Sequence, residues 1–335
     1  MLGIARRLGG RGRGAQRRRP TALLPAAAAL FLGCTLGAPS ALGAANPQDT
    51  LTYMPTELVH SIWTPSQVDG FLGDLASYDI GQALLQMPRF KRKGTVVVPA
   101  SNREMLSVWA NTAAAYNAEH GTQLAVTAVF NGSLKAKGLD LDNRATRANM
   151  LAAIESAIAT GISGVQLDLE PYPVTAGFIS LLEEADAAFA RLGFQGRLSV
   201  VAPANTSRWA PSYLRRVTEL VSQVDPLYYD SELASASEYE AWMQQSLAYY
   251  SANAAPGVRI VPVIPSYAAN PWHIPAVENV ATATSALNGA LGAGSRINGA
   301  GIWWWYGFFE NKPRYNASAD RAAWQSTTTS LAFTP

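Results

Sequence analysis

Residues 161–172 read Gly-Ile-Ser-Gly-Val-Gln-Leu-Asp-Leu-Glu-Pro-Tyr, and these twelve residues are the most informative in the chain. Its apolar and polar side chains alternate with a period of two, which is typical of a β-strand. Helical patterns flank it on both sides, as they flank buried parallel strands, so its polar face points into an enclosed space. Buried carboxylates cost free energy and therefore indicate chemistry or cation binding, with a solvated edge strand as the alternative. The apolar face holds Val165, Leu167 and Leu169, and the polar face holds Gln166, Asp168 and Glu170.

Strand and helix patterns alternate along the rest of the chain. This alternation indicates an α/β fold, and eight steps that close on themselves give a single (β/α)8 barrel, which typically needs ~250 residues. A doubly wound open sheet is the alternative, but no glycine-rich phosphate fingerprint follows any strand pattern. The strand patterns cover 57–63, 82–87, 95–99, 124–130, 165–170, 197–203, 224–230, 259–265 and 299–306, and the helical patterns cover 66–78, 102–119, 143–160, 176–192, 211–223, 238–253, 277–291 and 321–328.

Residues 1–44 differ from the rest in composition. A leader with seven arginines and no acidic residue precedes an apolar run from Thr21 to Leu36 and small residues up to Ala44, which is the pattern of a secretory signal. The apolar run is shorter than the about 20 residues of a membrane span. We therefore expect an exported, periplasmic or secreted protein without a membrane span, whose barrel domain occupies residues 46–335. Processing as a lipoprotein, with a lipid anchor at Cys34, is the alternative.

The composition argues against several classes of protein. Once the leader is removed, 19 of the 26 basic residues remain, compared with 24 acidic residues. The chain has no basic patch with interleaved aromatic residues that would indicate nucleic-acid binding. Cys34 is the only cysteine, so the mature chain is expected to form no internal disulfide. The three histidines lack metal-ligand spacing, and Asp140 and Asp142 lack the other residues of a calcium loop. We expect a monomer with no metal and no cofactor.

Four strand ends carry motifs that resemble the chitinase-like proteins of glycoside hydrolase family 18. The fourth-strand motif of that family, Asp-Gly-x-Asp-x-Asp-x-Glu, is matched by residues 163–170. Its sixth-strand Met-x-Tyr-Asp is matched by residues 227–230, and its seventh-strand Pro-x-Tyr by residues 265–267. Its eighth strand brings a tryptophan to the sugar site, matched here by Trp303 or Trp305. The resemblance follows the family's order over most of the chain and implies a barrel that takes a polysaccharide or oligosaccharide.

Two departures from the fourth-strand motif affect the expected chemistry. Ser163 and Gln166 replace the first two acids, of which the family uses the inner one to exchange a hydrogen bond with the middle Asp. Gln166 is expected to donate to Asp168 without adding charge, so Asp168 should ionise more easily than beside a second carboxylate. The departures make this a divergent member, and chitin itself is not assumed as its substrate.

The spacing of the two acids favours a substrate-assisted reaction. Asp168 and Glu170 lie two residues apart on one strand, roughly 6.6 Å between Cα atoms, and cannot easily straddle a sugar ring. The resemblance implies that Glu170 is the general acid and base, while Asp168 and Tyr229 stabilise an oxazolinium formed by the substrate's own acetamido group. We therefore expect retaining hydrolysis of a glycan that contains an N-acetylated amino sugar.

Other strand-end residues are expected to bind the sugar. Trp303 and Trp305 share one face of the last strand pattern, so one of them should form the stacking floor while Trp304 packs against helices. A carbohydrate-binding barrel without activity is one alternative, and a glycosidase for sugars without an acetamido group, using Glu170 with Asp230 or Glu310, is another. Metal-dependent hydrolysis at Asp168 and Glu170 lacks further ligands. The expected substrate-binding residues are Gln166, Asp230, Tyr267, Trp303, Trp305, Asn131 and Trp272.

Overall fold

A computed structural model describes residues 49–96, 100–135, 137–267, 272–292, 295–309 and 317–328. The expected signal segment at residues 1–44, the lipid-anchor candidate Cys34 and the alternative acid Glu310 lie outside these residues, so what was expected of them stays a prediction. None of the described helices has the length and apolar character that a membrane crossing requires.

The strands form one closed parallel barrel. Each described strand pairs in parallel with its neighbours, in the order β5-β4-β3-β2-β1-β9-β8-β6, and a further β5–β6 pairing closes the ring. Strands β7 and β8 both pair with β6, so they are two pieces of one barrel strand, and the predicted (β/α)8 barrel is confirmed. The strands are β1 Leu51–Met54, β2 Gln82–Gln86, β3 Ala125–Ser133, β4 Gly164–Glu170, β5 Arg197–Pro203, β6 Gln223–Leu227, β7 Arg259–Ile260, β8 Val263–Pro265 and β9 Gly301–Trp303.

Helices follow the strands and have clear start and stop signals in the sequence. The Asn143 side chain accepts from two backbone amides at the start of α4, and Thr175 caps α5 in the same way. Gly193 ends α5 with φ 64°, a left-handed conformation that glycine adopts without steric cost. The helices are α1 Glu57–His60, α2 Pro65–Ala76, α3 Ala100–His120, α4 Arg144–Ile158, α5 Ala176–Leu192, α6 Pro211–Thr218, α7 Ala236–Asn253, α8 Val280–Ala290, α9 Trp305–Phe308 and α10 Ala317–Thr328.

The predicted strand at residues 57–63 is wrong. The first barrel strand is β1, all four residues of which are buried, and helix α1 occupies the predicted position. A strand of four residues buried on both faces shows no alternation, and Pro55 directly after it starts the turn into α1. The period-two pattern therefore did not identify β1, which displays no alternation.

The hydrophobic core has two layers separated by the barrel wall. An outer layer between strands and helices contains the apolar face of β4, as its alternation predicts. A smaller inner layer fills the barrel itself, as side chains do in barrels of this size. The inner layer contains Leu51, Tyr53, Leu84, Val129, Val201, Leu227, Val261 and Val263.

An ion-pair cluster closes the amino end of the barrel. The carboxylate of Asp49, which directly precedes β1, lies 3.2 Å from the Arg197 guanidinium at the start of β5 and 2.9 Å from that of Arg259 at the start of β7. Asp49 is buried with 2% of its surface exposed. The cluster therefore ties three strand starts together around one buried charge.

Candidate active site

Strand β4 places two acids at the carboxyl end of the barrel, where catalytic residues of such barrels lie. Asp168 pairs in register with Asn131 on β3, and Glu170 pairs with Ser133. Asp168 is half-buried, and its buried Oδ1 has no hydrogen-bond partner among the described residues. Glu170 keeps part of its surface accessible at the mouth, while its carboxyl group lies in partly desolvated surroundings beside Tyr172. The strand thus presents one accessible acid beside one enclosed acid.

The surroundings raise the pKa of both acids. Burial, followed by the charge of Glu170, raises the pKa of Asp168 to about 7, and Arg89 only partly opposes this. Burial also raises the pKa of Glu170, to which the Asp230 charge adds, while Arg89, Lys135 and the Tyr172 hydrogen bond oppose it. No amide donor offsets the desolvation of Asp168, whereas the expectation that Asp168 ionises more easily than it would beside a second carboxylate at position 166 stays a prediction.

The Gln166 side chain binds a different acid from the one predicted. Its Nε2 donates to Asp225 Oδ2 on β6 at 2.5 Å, while its own Oε1 is buried without a partner among the residues described. The Tyr53 hydroxyl lies close to Gln166 but lacks a partner with hydrogen-bond geometry. The predicted bond from Gln166 to Asp168 is therefore wrong, because Asp225 on β6, which is separated from β4 only by β5, points into the barrel and accepts from the amide.

Below the acids, polar side chains continue through the barrel. Gln223 Nε2 donates to Asp225 Oδ1 at 2.9 Å. The Oε1 atom of Gln223 accepts from Gln82 Nε2 and from Arg197 Nη1, each at 3.4 Å. These hydrogen bonds connect the amino-end ion-pair cluster, through Arg197, to the layer directly under Asp168. Buried hydrogen bonds of this kind fix the orientations of the Gln223 and Asp225 side chains.

Aromatic side chains form one wall of the mouth. Trp303 at the end of β9 stacks on Tyr229, with ring centroids 5.7 Å apart and an interplanar angle of 23°, and meets Tyr53 edge-on at 4.9 Å. Trp304 stacks on Trp303 at 5.7 Å and belongs to the inner layer. The peptide bond between the two tryptophans is cis, as is that between Glu170 and Pro171. Trp303 therefore lies in an aromatic cluster with Tyr229, Trp304 and Tyr53, and is itself only partly buried.

The predicted pairing of Trp303 with Trp305 on one face is wrong. The strand ends at Trp303 and α9 begins at Trp305, so the period of two does not continue. Trp305 is 4% exposed and packs in the outer layer, 4.0 Å from the Phe309 ring and 5.6 Å from that of Phe71. Trp304, expected among the helices, lies on the inside instead. Trp305 is thus removed from the set of sugar-binding candidates.

The remaining candidates are distributed around the mouth. Tyr267 Oη donates to Asp230 Oδ1 at 2.7 Å, and the His273 ring stacks on Tyr267 at 4.0 Å. Asn131 Nδ2 donates to Gln86 Oε1 at 3.2 Å, next to Asp168 in the sheet. Trp272 is 56% exposed and does not line the cavity beside Glu170, so its contact with substrate stays a prediction.

A cavity of about 370 Å³ opens beside Glu170 and contains residues that the sequence analysis did not select. Tyr172 and Arg208 line it, and Arg89 and Lys135 lie close enough to affect the pKa of Glu170. All four come shortly after the carboxyl end of a strand, which is the sequence feature that identifies them. The cavity is lined by Glu170, Tyr172, Pro203, Ala204, Asn205, Arg208, Leu227, Tyr229, Asp230, Ser231, Leu233 and Trp242.

The described part of the chain contains no group of three or more His, Cys, Asp or Glu side chains arranged to hold a metal ion. Arg89 lies near both Asp168 and Glu170, and Lys135 lies near Glu170. The site therefore has the composition of a proton-transfer site: one exposed acid, one enclosed acid and an aromatic wall.

Comparison with known proteins identifies the fold. No protein-family model matches the sequence, and comparison with curated proteins gives no match. Among solved structures, a chitinase from Chromobacterium violaceum is 14% identical with a TM-score of 0.55, over 86% of this chain and 100% of that one. The catalytic domain of a family GH18 chitinase from the fern Peteris ryukyuensis is 14% identical with a TM-score of 0.56, over 84% of this chain and 99% of that one.

The same fold also occurs in a protein whose name describes it as an enzyme inhibitor. The xylanase and α-amylase inhibitor protein from Scadoxus multiflorus is 10% identical with a TM-score of 0.56, over 86% of this chain and all of its own. The predicted resemblance to chitinase-like proteins is thus confirmed in the fold. Activity has to be inferred from the site residues, since proteins of this fold include both chitinases and an inhibitor.

Proposed function

We propose that the chain is a chitinase-like glycoside hydrolase that cleaves a glycan containing an N-acetylated amino sugar. One observation carries the proposal: the buried Oδ1 of Asp168 lacks a donor among the described residues, two positions before an accessible acid on the same strand. An unpaired buried acceptor costs free energy, which a substrate donor would recover. The N–H of a 2-acetamido group is such a donor, and it brings the acetamido oxygen to the anomeric carbon.

In the proposed reaction, Glu170 gives its proton to the glycosidic oxygen as the bond to the anomeric carbon breaks. The acetamido carbonyl oxygen forms the new bond to that carbon and produces an oxazolinium ring. Asp168 accepts the N–H and its negative charge stabilises the cation. Ionised Glu170 then takes a proton from water, whose oxygen attacks the anomeric carbon while the bond from that carbon to the acetamido oxygen breaks. The ring opens, the acetamido group is restored and the sugar leaves with retained configuration.

Two aromatic residues complete the proposed site. Burial, followed by the charge of Asp168, holds the pKa of Tyr229 well above its ordinary value, so its hydroxyl keeps its proton and can donate to the acetamido oxygen. Trp303 stacks on Tyr229 and offers its face to the sugar ring, as tryptophans do in carbohydrate sites. Gln166, Asp230, Tyr267 and Asn131 would orient the bound sugar or the residues that touch it.

Two alternatives have specific observations in their favour. Binding without hydrolysis has the inhibitor with this fold as a precedent. A glycosidase for sugars without an acetamido group would use Glu170 with Asp230, which lines the same cavity, or with Glu310. The Tyr267 hydrogen bond to Asp230 favours an orienting role for Asp230 over a nucleophilic one, because a bound proton donor weakens a nucleophile.

Two inhibitors distinguish these reactions. A thiazoline that mimics the cyclised amino sugar should inhibit strongly, since ligands that resemble the intermediate bind far more tightly than substrate. A 2-fluoro glycoside should leave no covalent adduct on the protein. If the thiazoline does not inhibit, and the 2-fluoro glycoside adds mass to a peptide containing Asp230 or Glu310, the alternative hydrolase is established. Tight oligosaccharide binding with no product from any amino-sugar glycan would establish the binding protein.

A further inference from the structure

We propose that Asp225 is a positioning residue that supplies, from β6, the inner carboxylate that Gln166 replaces on β4. By binding the Gln166 amide, Asp225 keeps that amide away from Asp168 and leaves Asp168 open to the substrate. The inference rests on the proposed function for its catalytic consequence, while the contact itself can be tested without catalysis. It assigns a role to a residue 59 positions away from its partner in the sequence.

Both oxygens of the Asp225 carboxylate are held by amide donors. Gln166 Nε2 donates to Oδ2 at 2.5 Å and Gln223 Nε2 donates to Oδ1 at 2.9 Å. Asp225 and Gln166 are 0% exposed and Gln223 is 1% exposed, so water does not compete for these bonds. Gln223 is itself oriented by Arg197 and Gln82. The carboxylate therefore has one fixed position, from which it fixes the Gln166 amide.

The orientation of Gln166 leaves two oxygens unsatisfied. Gln166 and Asp168 lie two residues apart on the inner face of β4, so Gln166 is the amide donor closest to Asp168 along that strand. Gln166 Oε1 and Asp168 Oδ1 are nevertheless both buried without partners in the described part of the protein. An amide free to turn would satisfy the Asp168 oxygen. Because Asp225 holds it, Asp168 keeps an open acceptor.

Other groups around the two acids do not supply the missing donor. Burial raises the pKa of Asp225 to about 8, although the Gln223 and Gln166 hydrogen bonds and Arg197 oppose this rise. The raised pKa of Asp168 agrees with the absence of an amide donor. The titratable groups in electrostatic contact with Asp168 are Glu170, Tyr172, Arg89, Tyr53 and Tyr229. Those in electrostatic contact with Asp225 are Arg197 and Tyr53.

The contact can be tested by a pH titration of Asp168 that is monitored by carbon-13 NMR of its side-chain carboxyl. The variant Asp168→Asn, which lacks this carboxyl, assigns the resonance. In Asp225→Asn, the one remaining side-chain oxygen stays with Gln223, which Arg197 and Gln82 orient, and the new Nδ2 then faces Gln166 and bonds its Oε1. The Gln166 Nε2 is thereby released to donate to Asp168, which favours the ionised form and should lower the titration midpoint by about one pH unit. In the Gln166→Leu background the same substitution should shift the midpoint little. An unchanged midpoint in Asp225→Asn, or equal shifts in both backgrounds, would overturn the proposal.

Gln166→Leu alone keeps the test usable if Asp225→Asn does not fold. Because Asp168 receives no hydrogen bond from Gln166, its titration midpoint should stay within about 0.3 pH units of the native value. If the native protein did have such a bond, its loss would raise the midpoint by about one pH unit, and this result would refute the proposal.

Kinetics of the same variants measure the consequence for catalysis. Asp225→Asn should lower kcat/KM about tenfold, because Gln166 then donates to the Asp168 oxygen that would otherwise bind the substrate. In the Gln166→Leu background the same substitution should have no further effect on kcat/KM. Equal losses in both backgrounds would mean that Asp225 acts independently of Gln166. If the native protein hydrolyses no amino-sugar glycan, the proposed function fails, while the NMR titration still decides whether Asp225 controls Gln166.

Discussion

The buried carboxylates at the two ends of the barrel have different surroundings. At the amino end, Asp49 lies within ion-pair distance of two guanidinium groups, at 3.2 and 2.9 Å. At the carboxyl end, Asp168 has a buried oxygen with no partner in the described structure, and the charge of Glu170 lies beside it. Both pKa values are raised, first of all by burial. Two arginines counteract the rise of the Asp49 pKa, whereas among the described residues only Arg89 counteracts that of Asp168.

This difference separates a structural acid from a functional one. A buried charge that only holds strands together is stabilising when it is paired, and removing a partner is costly. A buried acid without a donor costs stability and is kept where it serves a reaction. We expect substitutions at the carboxyl end to change activity with little loss of stability, and substitutions at the amino end to do the reverse.

The largest effect is expected from Glu170→Gln. The amide keeps the shape of the side chain but cannot deliver a proton, so kcat should fall by about 10²–10⁴-fold with thermal stability and oligosaccharide affinity retained. Glu119→Gln, at an exposed position near the end of α3, is the matched control and should leave kcat unchanged. Near-native turnover by Glu170→Gln would exclude Glu170 as the acid.

A smaller loss of activity, about 10²-fold, is expected from Asp168→Asn, because the charge that stabilises the oxazolinium is removed. This variant should also change the pH dependence of stability. The folded pKa of about 7 exceeds the unfolded one, so the folded state binds more protons and loses stability as pH rises toward 7 from the ordinary carboxyl range.

Asp168→Asn should remove this part of the pH dependence. Chemical unfolding at several pH values measures the effect, with Asp186→Asn at an exposed position of α5 as the control. A pH profile of stability identical to that of the native protein would show that Asp168 is not desolvated in the fold.

The smallest effect, and one confined to stability, is expected from Arg259→Met. Asp49 then keeps only Arg197, and because Arg259 is 34% exposed the loss should be about 1–3 kcal/mol, below the about 3–5 kcal/mol of fully buried pairs. The control Arg215→Met breaks an exposed pair with Glu219 and should cost under about 0.5 kcal/mol. Unfolding by urea measures both, and a fall in kcat/KM for Arg259→Met would contradict the division between the two ends.

Local signals in the sequence predicted much of the fold. The bounds of α5 and β5 match the prediction, since Thr175 and Gly193 mark the ends of the helix and the strand pattern has no interruption. The positions of Asp168, Glu170, Tyr229 and Trp303 around one mouth follow from a simple rule, because the carboxyl ends of parallel barrel strands meet on one side. Their catalytic roles stay proposals.

Contacts across the barrel could not be predicted in the same way. A single strand pattern shows that Gln166 faces inward, but not that Asp225, two strands further around the barrel, will bind its amide. The end of β9 was misjudged for a different reason, since Trp303, Trp304 and Trp305 are alike in composition and only the start of α9 divides them between two layers. Periodicity identifies the face of a residue and does not identify its partner.

The stack of Trp303, Trp304 and Tyr229 makes the mouth optically distinct. Indole emission depends on the rings and proton donors in contact with the indole, and here two indoles lie against each other next to the acids. Trp109, Trp209 and Trp324 are fully buried elsewhere and provide a constant background. A sugar that covers Trp303 would therefore change the intrinsic fluorescence of the native chain, so that occupancy can be followed in real time, without a label and without turnover.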